Sequence, residues 1–190
     1  MAQENGIMVK IKHGNLKKDI AGGQALSRKV EKDLKTRFSI AKEELIEDFN
    51  SHSVTREIEA GVNASNLSGT LSRGNLFSFL GFEENSLPVE DLRSVLDKGS
   101  KLKRVGKTSW VVEVPDSTEI SSTTPLPWSA KSWALGIERG ISGFDKFIFG
   151  KSDNSRSGGG IQSKNSVRSG EFRPIRYISA ILERFIERLS

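Results

Sequence analysis

Leu26, Val30, Leu34, Phe38, Ala41, Leu45 and Phe49 recur at steps of three and four, so this stretch can hide its apolar side only as one face of a helix. The spacing predicts a helix from about Gln24 to Asn50, with Lys29, Lys32, Lys35, Glu43, Glu44 and Glu47 on its other faces. Its charge runs from basic to acidic, which opposes the helix macrodipole at a cost of a few tenths of a kcal/mol per charge. Burial or a partner has to offset that, and the basic start is expected to meet something anionic. A second stripe, Ile175, Ile178, Leu182, Phe185 and Leu189, widened by Ile181 and Ile186, predicts a terminal helix opened by Pro174. That stripe must be covered by the first helix, by a sheet or by a neighbouring subunit.

Between the two helices the pattern shortens. Val9 and Ile11 alternate with Lys10 and Lys12 like a brief strand, and Val54, Glu57-Ile58-Glu59 and Gly61-Val62 read as another. Ser65 to Gly74 is dense in turn formers, and Leu76, Phe77, Phe79, Leu80 and Phe82 form an apolar run interrupted by Gly81. Pro88 suits a first helical turn, with Leu92, Val95 and Leu96 carrying a short helix to Gly99. Ser109 to Val114 is β-branched and aromatic, a strand ended by Pro115. Trp133 to Arg139 has the period of one or two helical turns. The resulting expectation is an α+β fold, a long N-terminal helix and a C-terminal helix packed on a small antiparallel sheet. Residues 1–190 then form one domain, with a basic arm over 1–23 and a long, flexible, basic loop over 150–170.

Its 190 residues can bury one good core. No run approaches the roughly 18 apolar residues that cross a bilayer, so no membrane span is expected. Met1 to Lys10 lacks the pattern of a secretory signal, which points to synthesis and retention in the cytoplasm and to unused sequons at Asn63 and Asn66. The chain has no cysteine and 2 histidines, which removes disulfide and thiol chemistry and most transition-metal cages. Neither a cofactor nor a metal is expected.

The net charge of +5 is gathered into three groups. The first runs through Lys10, Lys12, Lys17 and Lys18 into Arg28, Lys29, Lys32, Lys35 and Arg37; the second is Lys98, Lys101, Lys103, Arg104 and Lys107; the third includes Lys151, Arg156, Lys164, Arg168, Arg173 and Arg176. Each reads either as a solvated face or as a surface for nucleic acid or an acidic partner. None is interleaved with the aromatics that stack single-stranded bases. Large aromatics gather instead at Trp128, Trp133, Phe144, Phe147 and Phe149, where they either complete a core or anchor an interface.

Enzymatic motifs fail on inspection. Asp145 to Ser152 ends like a phosphate-binding loop, but Asp145 stands where the first glycine belongs and phenylalanines fill the cradle. Gly158-Gly159-Gly160 opens no helix, and reads as a hinge. His52 with Asp48 and a serine has no nucleophile elbow, so His52 is expected to be a lone surface histidine. Glu43-Glu44 and Glu83-Glu84 are adjacent pairs whose side chains diverge. The chain is expected not to be an enzyme.

Four stretches carry a resemblance: Lys10-Ile11-Lys12-His13-Gly14-Asn15-Leu16-Lys17-Lys18 before the long helix, Ser68-Gly69-Thr70-Leu71, Trp133-Ala134-Leu135-Gly136-Ile137-Glu138-Arg139-Gly140, and Phe172-Arg173-Pro174. In this order they resemble the neck or tail-completion (head–tail connector) proteins of tailed bacteriophages, over most of the chain. The sequence departs from that pattern by inserting Phe77 to Lys107 and by the long loop after Gly150. The resemblance implies a structural virion protein in the phage neck, joining the capsid connector to the tail and assembled in the host cytoplasm. It implies a ring, on the order of six or twelve copies, in contact with other neck and tail proteins and with DNA passing through the lumen. Trp128, Trp133, Phe144, Phe147 and Arg173 are then the candidate interface residues. Lys10, Lys12, Lys17, Lys18, Lys101, Lys103, Arg104, Lys107, Arg156 and Arg168 are the candidates for the DNA channel or an acidic partner. The alternative reading is a nucleic-acid-binding protein that uses the same basic patches.

Overall fold

The apolar stripe of the long helix does what its spacing requires. The computed structural model describes residues 9–11, 24–106, 109–140 and 172–190. Within them, α1 spans Gln24–Ser51 and buries Leu34, Ala41, Leu45 and Phe49. Strand β1, Val9–Ile11, precedes it. The terminal helix, Ile178–Leu189, supplies the cover by burying Ile178, Ile181, Leu182, Phe185 and Leu189. It is α7 in chain order, and it runs back along α1: the Phe49 and Tyr177 rings stack at 6.1 Å, and Phe38 meets Phe185 edge-on at 5.9 Å.

The acidic end of α1 is answered here too. Asp48 accepts hydrogen bonds from Arg184 (3.0 Å) and Arg188 (2.9 Å), and Arg188 also pairs with Glu44 at 2.9 Å. The cations that the α1 macrodipole asks for at its C-terminus thus come from α7, since its own last turn has none.

Val54, Glu57-Ile58-Glu59 and Gly61-Val62, expected as a strand, are helical instead: α2 is Ser53–Glu59, and a 3-10 turn covers Gly61–Asn63. Val54 and Ile58 stand four apart and are both buried, which is a helical interval that their β-branched chemistry conceals. His52 starts the new helix, its Nδ1 accepting from Val54 N at 3.3 Å. The apolar run after Asn75 is also helical, a single turn α3 at Leu76–Phe79, capped by the Asn75 side chain accepting from Ser78 N at 2.9 Å. Helix α4, Pro88–Gly99, has the predicted bounds, with Glu90 and Asp91 in its first turn and Lys98 in its last.

Strands β2 (Lys101–Arg104) and β3 (Trp110–Glu113) pair antiparallel, and β1 pairs with the other edge of β3. The order is therefore β1-β3-β2, with Val9 opposite Val112 and Lys101 opposite Glu113. Helix α5, Ser117–Thr123, follows behind a reciprocal cap between Asp116 and Glu119. A small antiparallel pair, β4 (Pro125–Leu126) with β5 (Ser129–Ser132), leads into α6, Trp133–Arg139. One core unites these layers, from Leu45 and Phe49 through Leu92 and Val112 to Ile137 and Phe185.

Two further expectations are corrected. Pro174 does not open the last helix, because residues 172–177 form a non-helical strap in which the amides of Arg173, Ile175 and Tyr177 are claimed by other parts of the fold. Trp133 is 1% exposed and packs its ring against Phe82 and Tyr177 within the core, so its indole is not offered to another subunit.

Candidate functional site

Three of the four stretches that carry the resemblance lie far apart in sequence and meet in one junction. Its centre is Glu57 on α2, a fully buried carboxylate. One oxygen accepts from Ser68 N and the other from Leu76 N, each at 2.7 Å. A buried charge is tolerated when charge-assisted hydrogen bonds occupy it in this way. The loop 64–75 is thereby fixed at both ends, and Asn75 adds bonds from its amide to the Val62 and Ala64 carbonyls, each 3.0 Å.

Onto that loop the strap is fastened. Arg173 N donates to Thr70 O at 2.7 Å, and Ile175 N donates to Ile137 O at 3.2 Å. Glu138, at the end of α6, accepts from Tyr177 N (3.0 Å) and Ser179 N (2.7 Å), placing a negative charge on the unsatisfied donors that open α7. Phe172 stacks on Phe79 at 5.7 Å. The Ser68–Leu71 turn, the Trp133–Gly140 segment and Phe172-Arg173-Pro174 thus form one hydrogen-bonded unit.

Tyr177, the chain's single tyrosine, sits at its base. Its hydroxyl lies 2.7 Å from that of Thr55, both fully buried. Burial drives the phenol well above its usual range, against the weaker opposing effect of the Thr55 hydrogen bond, so the group stays protonated. It works as a fastener, not as a base.

His52 is half-buried beside the Tyr177 ring at 4.8 Å, a correction to the expected lone surface histidine. Burial and the Arg184 charge hold its pKa below the ordinary imidazole value, against raising effects from a hydrogen bond at the Arg176 backbone and from Asp48 and Glu138. Partial burial pushes the Asp48 carboxyl up, but the hydrogen bonds and charges of Arg188 and Arg184 outweigh it and hold the group below the usual carboxylate range. Asp48 therefore serves the α1–α7 seam. Among the described residues, no three His, Cys, Asp or Glu side chains are grouped to hold a metal ion.

The candidate interface residues separate. Trp128 is half-buried at the β4–β5 turn, its indole N–H donating to Leu80 O at 3.2 Å. Arg173 is exposed, and its backbone N–H is the donor that fastens it to Thr70. Phe144 and Phe147 lie outside the described residues. Of the basic candidates, Lys101, Lys103 and Arg104 share strand β2 and are exposed. Lys103 pairs with Glu113 at 2.6 Å, and Arg104 pairs with Glu31 at 3.3 Å and lies over the Trp110 ring at 5.6 Å. Lys10 belongs to β1, whereas Lys12, Lys17, Lys18, Lys107, Arg156 and Arg168 lie outside the described residues. The expected loop at 150–170 and most of the arm at 1–23 lie outside them too.

Two shallow grooves follow the solvent side of α1. Arg28, Glu31, Lys32, Lys35, Thr36, Ser39 and Ile40 line the first. Glu43, Ile46, Glu47, Asn50, Ser51, Arg56 and Glu59 line the second.

The roles of Glu57, Thr55, Tyr177 and Glu138 escaped the sequence reading, although Glu57 and Glu138 stand in stretches that it singles out. Glu57 had a signal: it stands three residues after Val54 and one before Ile58, on the buried side of α2.

No helix among the described residues is long and apolar enough to cross a membrane. No family model matches the chain, and neither the curated proteins nor the solved structures contain a match to it.

Proposed function

We propose that this chain is a structural protein of the phage neck, a ring subunit that joins the capsid connector to the tail. One observation carries the reading: the Ser68–Leu71, Trp133–Gly140 and Phe172–Pro174 stretches, chosen for a resemblance alone, are fastened to each other through Thr70, Ile137, Glu138 and Arg173. Segments recognised together in sequence are expected to act together in space. The side chains of that junction hold backbone in place, as a scaffold that presents surfaces requires.

The copies would meet through heterologous faces that close into a ring. Trp128 and Arg173 are the described candidates for those faces. Native mass spectrometry and electron microscopy of the purified full chain, alone and with capsid-connector and tail proteins, test this. A closed ring of fixed copy number is the expected result. A monomer under every one of those conditions overturns it.

The nucleic-acid reading is weaker, because Lys103 and Arg104 on β2 already face Glu113 and Glu31. It predicts duplex binding by the monomer with a steep dependence on salt.

A further inference from the structure

The charge order of α1 is only partly accounted for within the chain. Asp48 and Glu44 are matched by α7, and Glu31 by Lys35 and Arg104. Arg28 and Lys32 at the basic end form no ion pair among the described residues, and neither do Glu43 and Glu47 at the acidic end. All four are exposed. Each pair is spaced by one helical turn, and the two pairs stand fifteen positions apart in the chain. At 3.6 residues per turn that is about 22 Å along the axis and about 60° around it, so both pairs lie on one side of the helix. That side is opposite Leu34, Ala41, Leu45 and Phe49, the residues turned to the core.

Between the pairs lie Thr36, Ser39 and Ile40. The first two are short, and the Thr36 hydroxyl is already satisfied by Lys32 O at 3.0 Å. Ile40 is 52% exposed. A basic turn, a narrow waist with one apolar residue and an acidic turn follow one another along the stripe. Reversed end for end, the same stripe is its own complement.

We propose that the solvent side of α1 docks the same side of a second copy, antiparallel, with Arg28 and Lys32 of one chain against Glu47 and Glu43 of the other, and the reverse at the far end. The spacing makes the register unique: 28 faces 47, 32 faces 43, and Thr36 faces Ser39 at the two-fold centre. Short residues at the centre let two helices approach closely at the shallow crossing angle that such an extended contact needs. The arrangement also gives each unfavourable end of the macrodipole an opposite charge from the other chain. This two-fold contact closes at two copies and goes beyond the ring reading, which calls for heterologous faces.

Sedimentation velocity of the full chain at low salt tests it against two variants, Arg28→Glu with Lys32→Glu and Glu43→Lys with Glu47→Lys. Both reversals improve the charge order of an isolated helix, so both chains are expected to fold, as checked by circular dichroism. The wild-type chain should pair, and more weakly in about 1 M salt, where screening acts within about 3 Å. Each variant alone should lose pairing by more than about tenfold in dissociation constant, through four exposed ion pairs replaced by like charges. An equal mixture of the two variants should form a heterodimer, because every facing pair is then opposite in sign. Variants that self-associate like the wild type, or a mixture that stays monomeric, overturn the proposal. Rings that assemble unaffected by either reversal would remove this contact and leave the ring reading standing; pairs without rings would do the opposite.

Discussion

The hydroxyl of Tyr177, at the entrance to α7, lies 2.7 Å from the hydroxyl of Thr55 on α2, and neither has any exposure to water. Two helices separated by most of the chain are thereby tied at a point where no solvent competes. Tyr177→Phe keeps the ring contacts with Phe49 and Trp133 and strands the Thr55 hydroxyl, which should cost about 1–3 kcal/mol in urea unfolding. Adding Thr55→Val should recover part of that loss. A double-mutant cycle with no coupling between the two positions would contradict the assignment.

Glu57→Gln tests the junction directly. The amide retains one acceptor but turns an N–H2 group toward a backbone donor, Ser68 N or Leu76 N. A loss of about 1.5–3 kcal/mol is expected, the range for a hydrogen bond to a charged group. Hydrogen exchange should show the loop 64–75 opening before α1 does.

Much of the architecture was legible in residue spacing. The stripes of α1 and α7, the Pro88-to-Gly99 helix and the strand before Pro115 are local signals, each set by periodicity or by a residue that restricts the backbone. Where the reading failed, a distant partner decided the matter. Val54 and Ile58 read as strand residues because the wall they pack against comes from elsewhere in the chain. Pro174 looked like a helix start, yet Thr70 and Ile137 hold the residues on either side of it in a strap. Glu138 was visible as part of a motif, but its work as the cap of α7 depends on a return of the chain that spacing does not encode.

Stability should fall on the acid side in two stages with different owners. The depressed pKa of His52 means that the unfolded chain takes up its proton first, so its contribution is full above about 6.5 and is lost as pH falls from there to the folded value. His52→Asn keeps a side chain able to cap α2 and should flatten unfolding free energy on the acid side of about pH 6.5. Asp48, also depressed, contributes above its ordinary value of 3.8 and loses that contribution as pH falls through its lower folded value. Asp48→Asn should remove the steepest part of the loss below pH 4, read from chemical denaturation across pH.

Gly99 ends α4 against Pro115, where an added Cβ would stand 2.5 Å from the proline Cγ. Gly99→Ala should destabilise by about 1–3 kcal/mol through overpacking, although alanine favours helices elsewhere. Gly81 differs: its φ of +76° is unfavourable for any side chain, and a Cβ would also press on the Trp128 ring at 3.3 Å. Gly81→Ala should therefore loosen the Trp128 indole, seen as a shift in its fluorescence, along with a drop in melting temperature.

The strap that reaches Ile137 sets two distant parts of the chain side by side: a Cβ on Gly140 would lie 3.9 Å from Pro174, and Ile175 is bonded to Ile137. Slack introduced at one of these points is therefore felt at the other: Ile137 and Ile175 share one hydrogen bond, so the end of α6 and the lead-in to α7 yield together or not at all.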